Sequence, residues 1–228
     1  MKTLLALLLL VASSMSCLAE SKYTVVHVDD PQRLALFLRD DTGAPFHRFD
    51  KLGAWLQARK QHLRFAMNAG MFEPDYSPVG LFIAQAQQLT PLNLRAGRGN
   101  FYSKPNGVFL VTSAGPRIVE SSKYSERPAD VLLATQSGPL LIEHGVMHPR
   151  LSAVSKFIRN GVGVKDGRVT FVISNEPVSL HELAMYFKDE LGCGDALYFD
   201  GTVSALYSSE LGRSDSTVDL GPIIGLVD

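Results

Sequence analysis

The chain has 228 residues, 46% of them hydrophobic and 20% charged, with Lys+Arg 22 against Asp+Glu 23 and a formal net charge of −1. That length suits one domain around a single core of ordinary size. A near-neutral balance without a basic run gives no nucleic-acid footprint, so nucleic acid is not an expected partner.

At the start, Met1-Lys2-Thr3 carries one positive charge ahead of the apolar run Leu4 to Ala12 and the small-residue segment Ser13 to Ala19. The run is roughly ten residues, half of the ~20 that a membrane-spanning helix requires. It therefore reads as a signal peptide, residues 1–19, cleaved after Ala19 to release a periplasmic or secreted protein with no stable membrane anchor. The mature chain, residues 20–228, is expected to be one domain. Cleavage removes Lys2 and Cys17, which moves the net charge to about −2 and leaves Cys193 alone, with no disulfide framework.

Further along, β-branched and aromatic residues cluster at 23–28, 33–38, 63–67, 79–83, 107–112, 131–134, 158–164, 168–174 and 195–199, which predicts strands. Asp50 to Lys60 has helical spacing, with Trp55 on its apolar stripe. Ser179 to Leu191 is the second helix: Ser179 and Glu182 form a capping box, Leu180, Leu183, Ala184 and Phe187 form an apolar stripe, and Gly192 supplies the stop. The polar stretches 84–106 and 120–130 read as long loops. Asp166-Gly167 predicts a two-residue hairpin that pairs Lys165 with Arg168. In that register Asn160, Val162, Val164, Val169, Phe171 and Ile173 face the core, and Asn160 reads as a buried amide. Arg159, Gly161, Gly163, Thr170 and Ser174 share the other face, where two glycines leave a bare strip of backbone for a ligand.

The strong catalytic templates are missing. There is no phosphate-binding Gly-Lys-Ser/Thr loop, no Gly-x-Ser-x-Gly elbow and no paired-cysteine zinc spacing, and His181-Glu182 lacks a second histidine at 185. Instead, polar residues with glycine partners stand at the ends of apolar runs, where sites are built. These are Asn68-Ala69-Gly70-Met71-Phe72, Pro105-Asn106-Gly107-Val108, Gln136-Ser137-Gly138-Pro139, Arg159-Asn160-Gly161-Val162-Gly163 and Phe199-Asp200-Gly201.

In this order, the five motifs resemble those of the phosphodiester glycosidase family, which includes the lysosomal uncovering enzyme and many bacterial exported proteins. The resemblance spans roughly residues 60 to 225; Ala69 and Thr202 stand where the uncovering enzymes carry glycine. Together with the strand-rich pattern it implies an α+β fold, a large, mostly antiparallel or mixed sheet with few flanking helices. It also implies hydrolysis of a sugar-1-phosphodiester in envelope or extracellular polysaccharide; no cofactor is expected, with a divalent metal left open.

On residue chemistry, the expected catalytic set is Asp200, Arg159 and Glu73. Asp200 would activate water or stabilise an oxocarbenium-like centre, Arg159 would fork onto phosphate oxygens, and Glu73 would be the second carboxylate. Asn68, Gly70, Lys104, Asn106, Ser137, Gly138 and Gly201 form the expected substrate-binding set, with Lys104 as a second cation. Two other readings of the same residues are a metal-dependent phosphodiesterase, with Asp200, Glu73 and Asn68 as oxygen ligands, and a non-catalytic glycan-binding or scaffold module.

Overall fold

The computed structural model describes residues 21–215 and 218–228; the expected signal segment 1–19 lies outside them. In chain order the elements are β1 (Tyr23–Val28), β2 (Leu34–Phe37), α1 (Phe49–Gln57), β3 (Leu63–Asn68), β4 (Phe82–Ala84), β5 (Gln87–Thr90), β6 (Gly107–Thr112) and β7 (Gly115–Glu120). They continue with β8 (Val131–Ser137), β9 (Leu140–Glu143), β10 (Val146–Met147), β11 (Asn160–Lys165), β12 (Arg168–Ser174) and α2 (Leu180–Met185). The last are β13 (Asp195–Tyr198), β14 (Leu206–Ser208), β15 (Arg213–Ser214) and β16 (Ile223–Val227). The architecture is α+β, and each strand pairing described is antiparallel.

Three sheets result, in the orders β1-β12-β11-β13-β9-β10, β15-β14-β3-β16-β2 and β5-β4-β8-β6-β7. Because side chains alternate along a strand, one face of each sheet can turn inward, and all three contribute to one core. Phe65 and Met67 of β3, Phe109 of β6, Leu133 of β8, Phe171 of β12 and Leu197 of β13 meet there. Helix α1 covers the outer face of the second sheet with Leu52 and Leu56, and α2 covers that of the first with Leu183 and Ala184. Phe171 is fully buried, 4.8 Å from the Phe65 ring and 6.3 Å from Phe109. Phe171→Ala is therefore expected to cost about 3–5 kcal/mol of stability, read as a lower denaturation midpoint at an unchanged slope.

The Asp166-Gly167 hairpin forms as expected, with φ of 49° and 77° and Lys165 opposite Arg168. The other face of β11 is not bare, however. A Cβ at Gly163 would stand 2.6 Å from Cys193 Sγ and 2.8 Å from Phe187 Cδ1, so these glycines admit the Phe187 ring rather than a ligand. The capping box of α2 is present, but its second half widens into a π-helical turn over Tyr186–Glu190. The stretch 84–106 is not all loop: it contains edge strand β5, entered through Gln85 and Ala86, both at positive φ.

Candidate active site

The site is built where strand ends from all three sheets meet. At the end of β3, Asn68 is 2% exposed and its side-chain oxygen accepts from Asn160 Nδ2 at 2.8 Å and from the Ala205 amide at 2.9 Å. Its Nδ2 donates to the Asp200 carbonyl at 2.9 Å. Asn160, at the start of β11, is fully buried, and its oxygen accepts from the Ser204 hydroxyl at 3.2 Å. These amides pair with each other and with backbone, so the described hydrogen bonds of Asn68 lie within the protein rather than marking it as a sugar ligand. It fixes the carbonyl of the expected catalytic residue.

That residue is Asp200, just past the end of β13. One carboxyl oxygen accepts from the Thr202 amide at 3.0 Å in a tight turn. Burial raises its pKa above the ordinary 3.8, opposed only partly by the Thr202 amide and hydroxyl. Two residues earlier, at the end of β13, Tyr198 presents its hydroxyl to Arg159 Nη1 at 3.0 Å. Gly201 closes on the same hydroxyl: a Cβ there would stand 1.8 Å from it. Gly201 is thus required by the approach of Tyr198, and it is not a ligand cradle.

Arg159 is linked to the Asp200 turn only through Tyr198, and it is not open to a ligand. It is 2% exposed, and its guanidinium donates to the Val178 carbonyl at 2.9 Å and the Ser155 carbonyl at 2.9 Å as well as to Tyr198. Its fork is occupied by the protein, so the expected direct grip on phosphate is replaced by a grip on Tyr198.

A second cluster joins the ends of β8 and β6. Gly70 donates its amide to Thr135 Oγ1 at 3.2 Å, and a Cβ on it would stand 2.4 Å from the Gln136 carbonyl. Gln136 is a saturated hub: its oxygen accepts from Leu81 and Asn93 amides at 3.0 and 2.9 Å, and its nitrogen donates to the Asn93 carbonyl and Ser121 Oγ. Gly138 packs its Cα against Asn106, where a Cβ would come within 2.7 Å of the asparagine Cβ. Asn106 donates to the Phe101 carbonyl at 2.8 Å and accepts from Lys104 Nζ at 2.9 Å. Gly70, Gly138 and Asn106 therefore serve contacts within the protein at the ends of β8 and β6.

Lys104 differs from them. Its amine is half-buried, makes no ion pair among the described residues, and has a pKa lowered by desolvation. Ser137 Oγ is buried with no partner. The Tyr198 amide donates to the Pro139 carbonyl at 3.2 Å, which ties this cluster to the Asp200 strand.

Glu73 falls outside the network. It is exposed, in a turn where its amide donates to the Ser77 carbonyl at 2.8 Å, and it lines a separate cleft of about 500 Å³ with Pro78, Asn93 and Arg95. No hydrogen bond or ion pair joins it to Asp200. The oxygen donors of a metal-dependent reading are not assembled either, because Asn68 Oδ1 is already occupied. Sequence reasoning missed Tyr198, Ser204, Thr135 and Gln136, although the two-residue spacing of Tyr198 from Asp200 was a usable signal.

A carboxyl of raised pKa and a half-buried amine without an ion pair among the described residues, both on strand-end segments, are groups that a hydrolase of an anionic ester can use. The chain belongs to the phosphodiester glycosidase family, whose sequence model matches residues 61–218, and it is a hydrolase of that class. The uncharacterized protein YigE of Escherichia coli (strain K12) is 35% identical over 203 residues, covering 86% of this chain and 79% of its own. The catalytic domain of zebrafish N-acetylglucosamine-1-phosphodiester alpha-N-acetylglucosaminidase, auto-inhibited by its pro-peptide, shares the fold with a TM-score of 0.64. Identity to it is 14%, over 89% of this chain and 75% of that one. A hypothetical protein from Synechocystis shares the fold at a TM-score of 0.53 and 16% identity, over 90% of this chain and 59% of the other.

Proposed function

We propose that the protein hydrolyses the sugar C1–O bond of a glycosyl phosphodiester with Asp200 as general base and Lys104 as the cation facing the phosphate. The carbohydrate partner is a sugar-1-phosphodiester of envelope or extracellular polysaccharide, met in the periplasm or outside the cell. The signal-like first 19 residues support that location.

The observation that carries the mechanism is the way Asp200 is held, its carbonyl by Asn68 Nδ2 and its carboxyl by the Thr202 amide, with burial raising the carboxyl pKa. A carboxylate that has become more basic takes a proton from water more readily. Water oxygen bonds to C1 while its proton passes to Asp200, and the C1–O electron pair leaves with the phosphate monoester. Such a leaving group is already a weak base and needs little protonation, so a single carboxyl suffices and Glu73 is not required. Arg159 acts from behind Tyr198. The half-buried amine of Lys104 offsets the phosphate charge where water screens it less.

The test is a synthetic sugar-1-phosphodiester in oxygen-18 water. Free sugar carrying the label, with unlabelled phosphomonoester, supports the reading; label in the phosphate, or binding without turnover, overturns it. Lys104→Ala is expected to raise KM about 10-fold or more, the scale of one charge-assisted hydrogen bond, with a smaller change in kcat, measured on the same substrate.

A further inference from the structure

Arg159 is a buried charge that the proposed chemistry does not use directly. Its three described hydrogen bonds go to two carbonyls and the Tyr198 hydroxyl, and it makes no carboxylate ion pair among the described residues. Burying an arginine without a counter-ion is costly, so its placement calls for a function. The cation also lies over the Tyr198 ring, 5.3 Å from the centroid, and over Phe157 at 5.4 Å. What these contacts secure is the position of one phenol oxygen.

We propose that Tyr198 is a positioning residue for Asp200: anchored by Arg159 and closed against Gly201, it sets the Asp200-Gly201-Thr202 turn and holds the guanidinium away from the carboxyl. This rests on reading Asp200 as the base. The fit is tight because position 201 has no side chain; any Cβ there would meet the phenol oxygen first. The separation matters as much as the fit. A guanidinium in direct contact would stabilise the carboxylate and make it a poorer base, yet Asp200 is governed by burial and Thr202, and its pKa rises. Tyr198 on β13 is the ionisable group coupled to it, and Arg159 ahead of β11 is coupled to Tyr198 in turn. From β3 and the Ser204 loop come only amides and a hydroxyl.

Tyr198→Phe in the full chain removes the oxygen and nothing else. Arg159 Nη1 loses its acceptor and, on this proposal, is no longer held back from the Asp200 turn. On the sugar-1-phosphodiester, kcat is expected to fall roughly 10- to 100-fold, the scale of a misplaced reacting group, with KM unchanged. The acidic limb of the pH–rate profile moves to lower pH, which a loss of packing alone would not produce. Unchanged kcat and an unmoved limb overturn the proposal. If Tyr198→Phe folds poorly, Arg159→Lys decides: it keeps the charge but cannot reach all three acceptors, so kcat falls at constant KM, and wild-type kcat overturns the proposal. Asp200→Asn separates the two claims. An inactive Asp200→Asn beside a fully active Tyr198→Phe leaves the base assignment standing and removes the positioning role, whereas an active Asp200→Asn removes both.

Discussion

Asp200→Asn is expected to lower kcat by about 10³-fold, within the range of general-base catalysis, while raising the melting temperature at neutral pH. Asparagine keeps an oxygen for the Thr202 amide, so the turn survives and only the proton acceptor is lost. The stability change follows from the direction of the pKa shift. Burial holds the folded-state pKa above the ordinary 3.8, so the ionised carboxylate is less favourable in the folded chain than in the unfolded one. Wild-type stability therefore falls as pH rises from 3.8 through the folded-state value, and the loss persists above it. The variant has no such loss, so its advantage disappears at pH below 3.8 and is complete at neutral pH. Melting curves at the two pH extremes measure this directly. In the wild type the same group sets the acidic limb of kcat: activity falls as pH drops through the folded-state pKa. A variant that is both inactive and less stable at neutral pH would contradict the role assigned to burial here.

The parts of this molecule that could be read from its sequence are those in which local chemistry and tertiary structure agree. The hairpin at Asp166-Gly167 is one, since both turn residues accept the positive φ that the strand twist demands and the register follows. The capping box at Ser179 and Glu182 is another. Strand β16 was not legible despite lying between β3 and β2, because Gly225 interrupts its apolar pattern. That glycine is there so that strand and neighbours can approach: a Cβ would come within 3.1 Å of the Phe65 carbonyl. The turn before β5 was missed because Gln85 and Ala86 adopt a conformation usually left to glycine or asparagine.

The site divides along the same line. Asp200 could be singled out because a polar residue at the end of an apolar strand is exposed to function by position. The roles of its neighbours could not, since they depend on what each side chain meets. Arg159 and Asn68 are the residue types that bind phosphates and sugars, and from sequence nothing distinguishes a guanidinium facing a ligand from one facing two carbonyls. Gly70, Gly138 and Gly201 look like ligand cradles in sequence, yet each is required by a neighbouring protein atom at less than 3 Å from where a Cβ would sit.

Asn68→Ala is the other change expected to have a large effect, and it acts on stability and activity together. Removing the amide leaves the Ala205 N–H, Asn160 Nδ2 and the Asp200 carbonyl without their partner. Each buried polar group so stranded costs about 1–3 kcal/mol. Asn160 Nδ2 retains a longer contact to the Asn68 backbone carbonyl at 3.3 Å, which softens one of the three. A loss of about 3 kcal/mol or more is therefore expected in chemical denaturation. The remaining folded enzyme should also be slower, by about 100-fold, because the backbone of the base is no longer held and small displacements of a reacting group cost that much. Asn68→Asp separates the two effects. It keeps an acceptor for Ala205 and Asn160 but replaces the donor to the Asp200 carbonyl with a repelling oxygen. Stability should then be less affected than in the alanine variant while kcat falls as far, and KM should stay near wild type in both, since the described hydrogen bonds of Asn68 are all within the protein. A rise in KM confined to these variants would instead return Asn68 to the sugar-binding role that its residue type suggests.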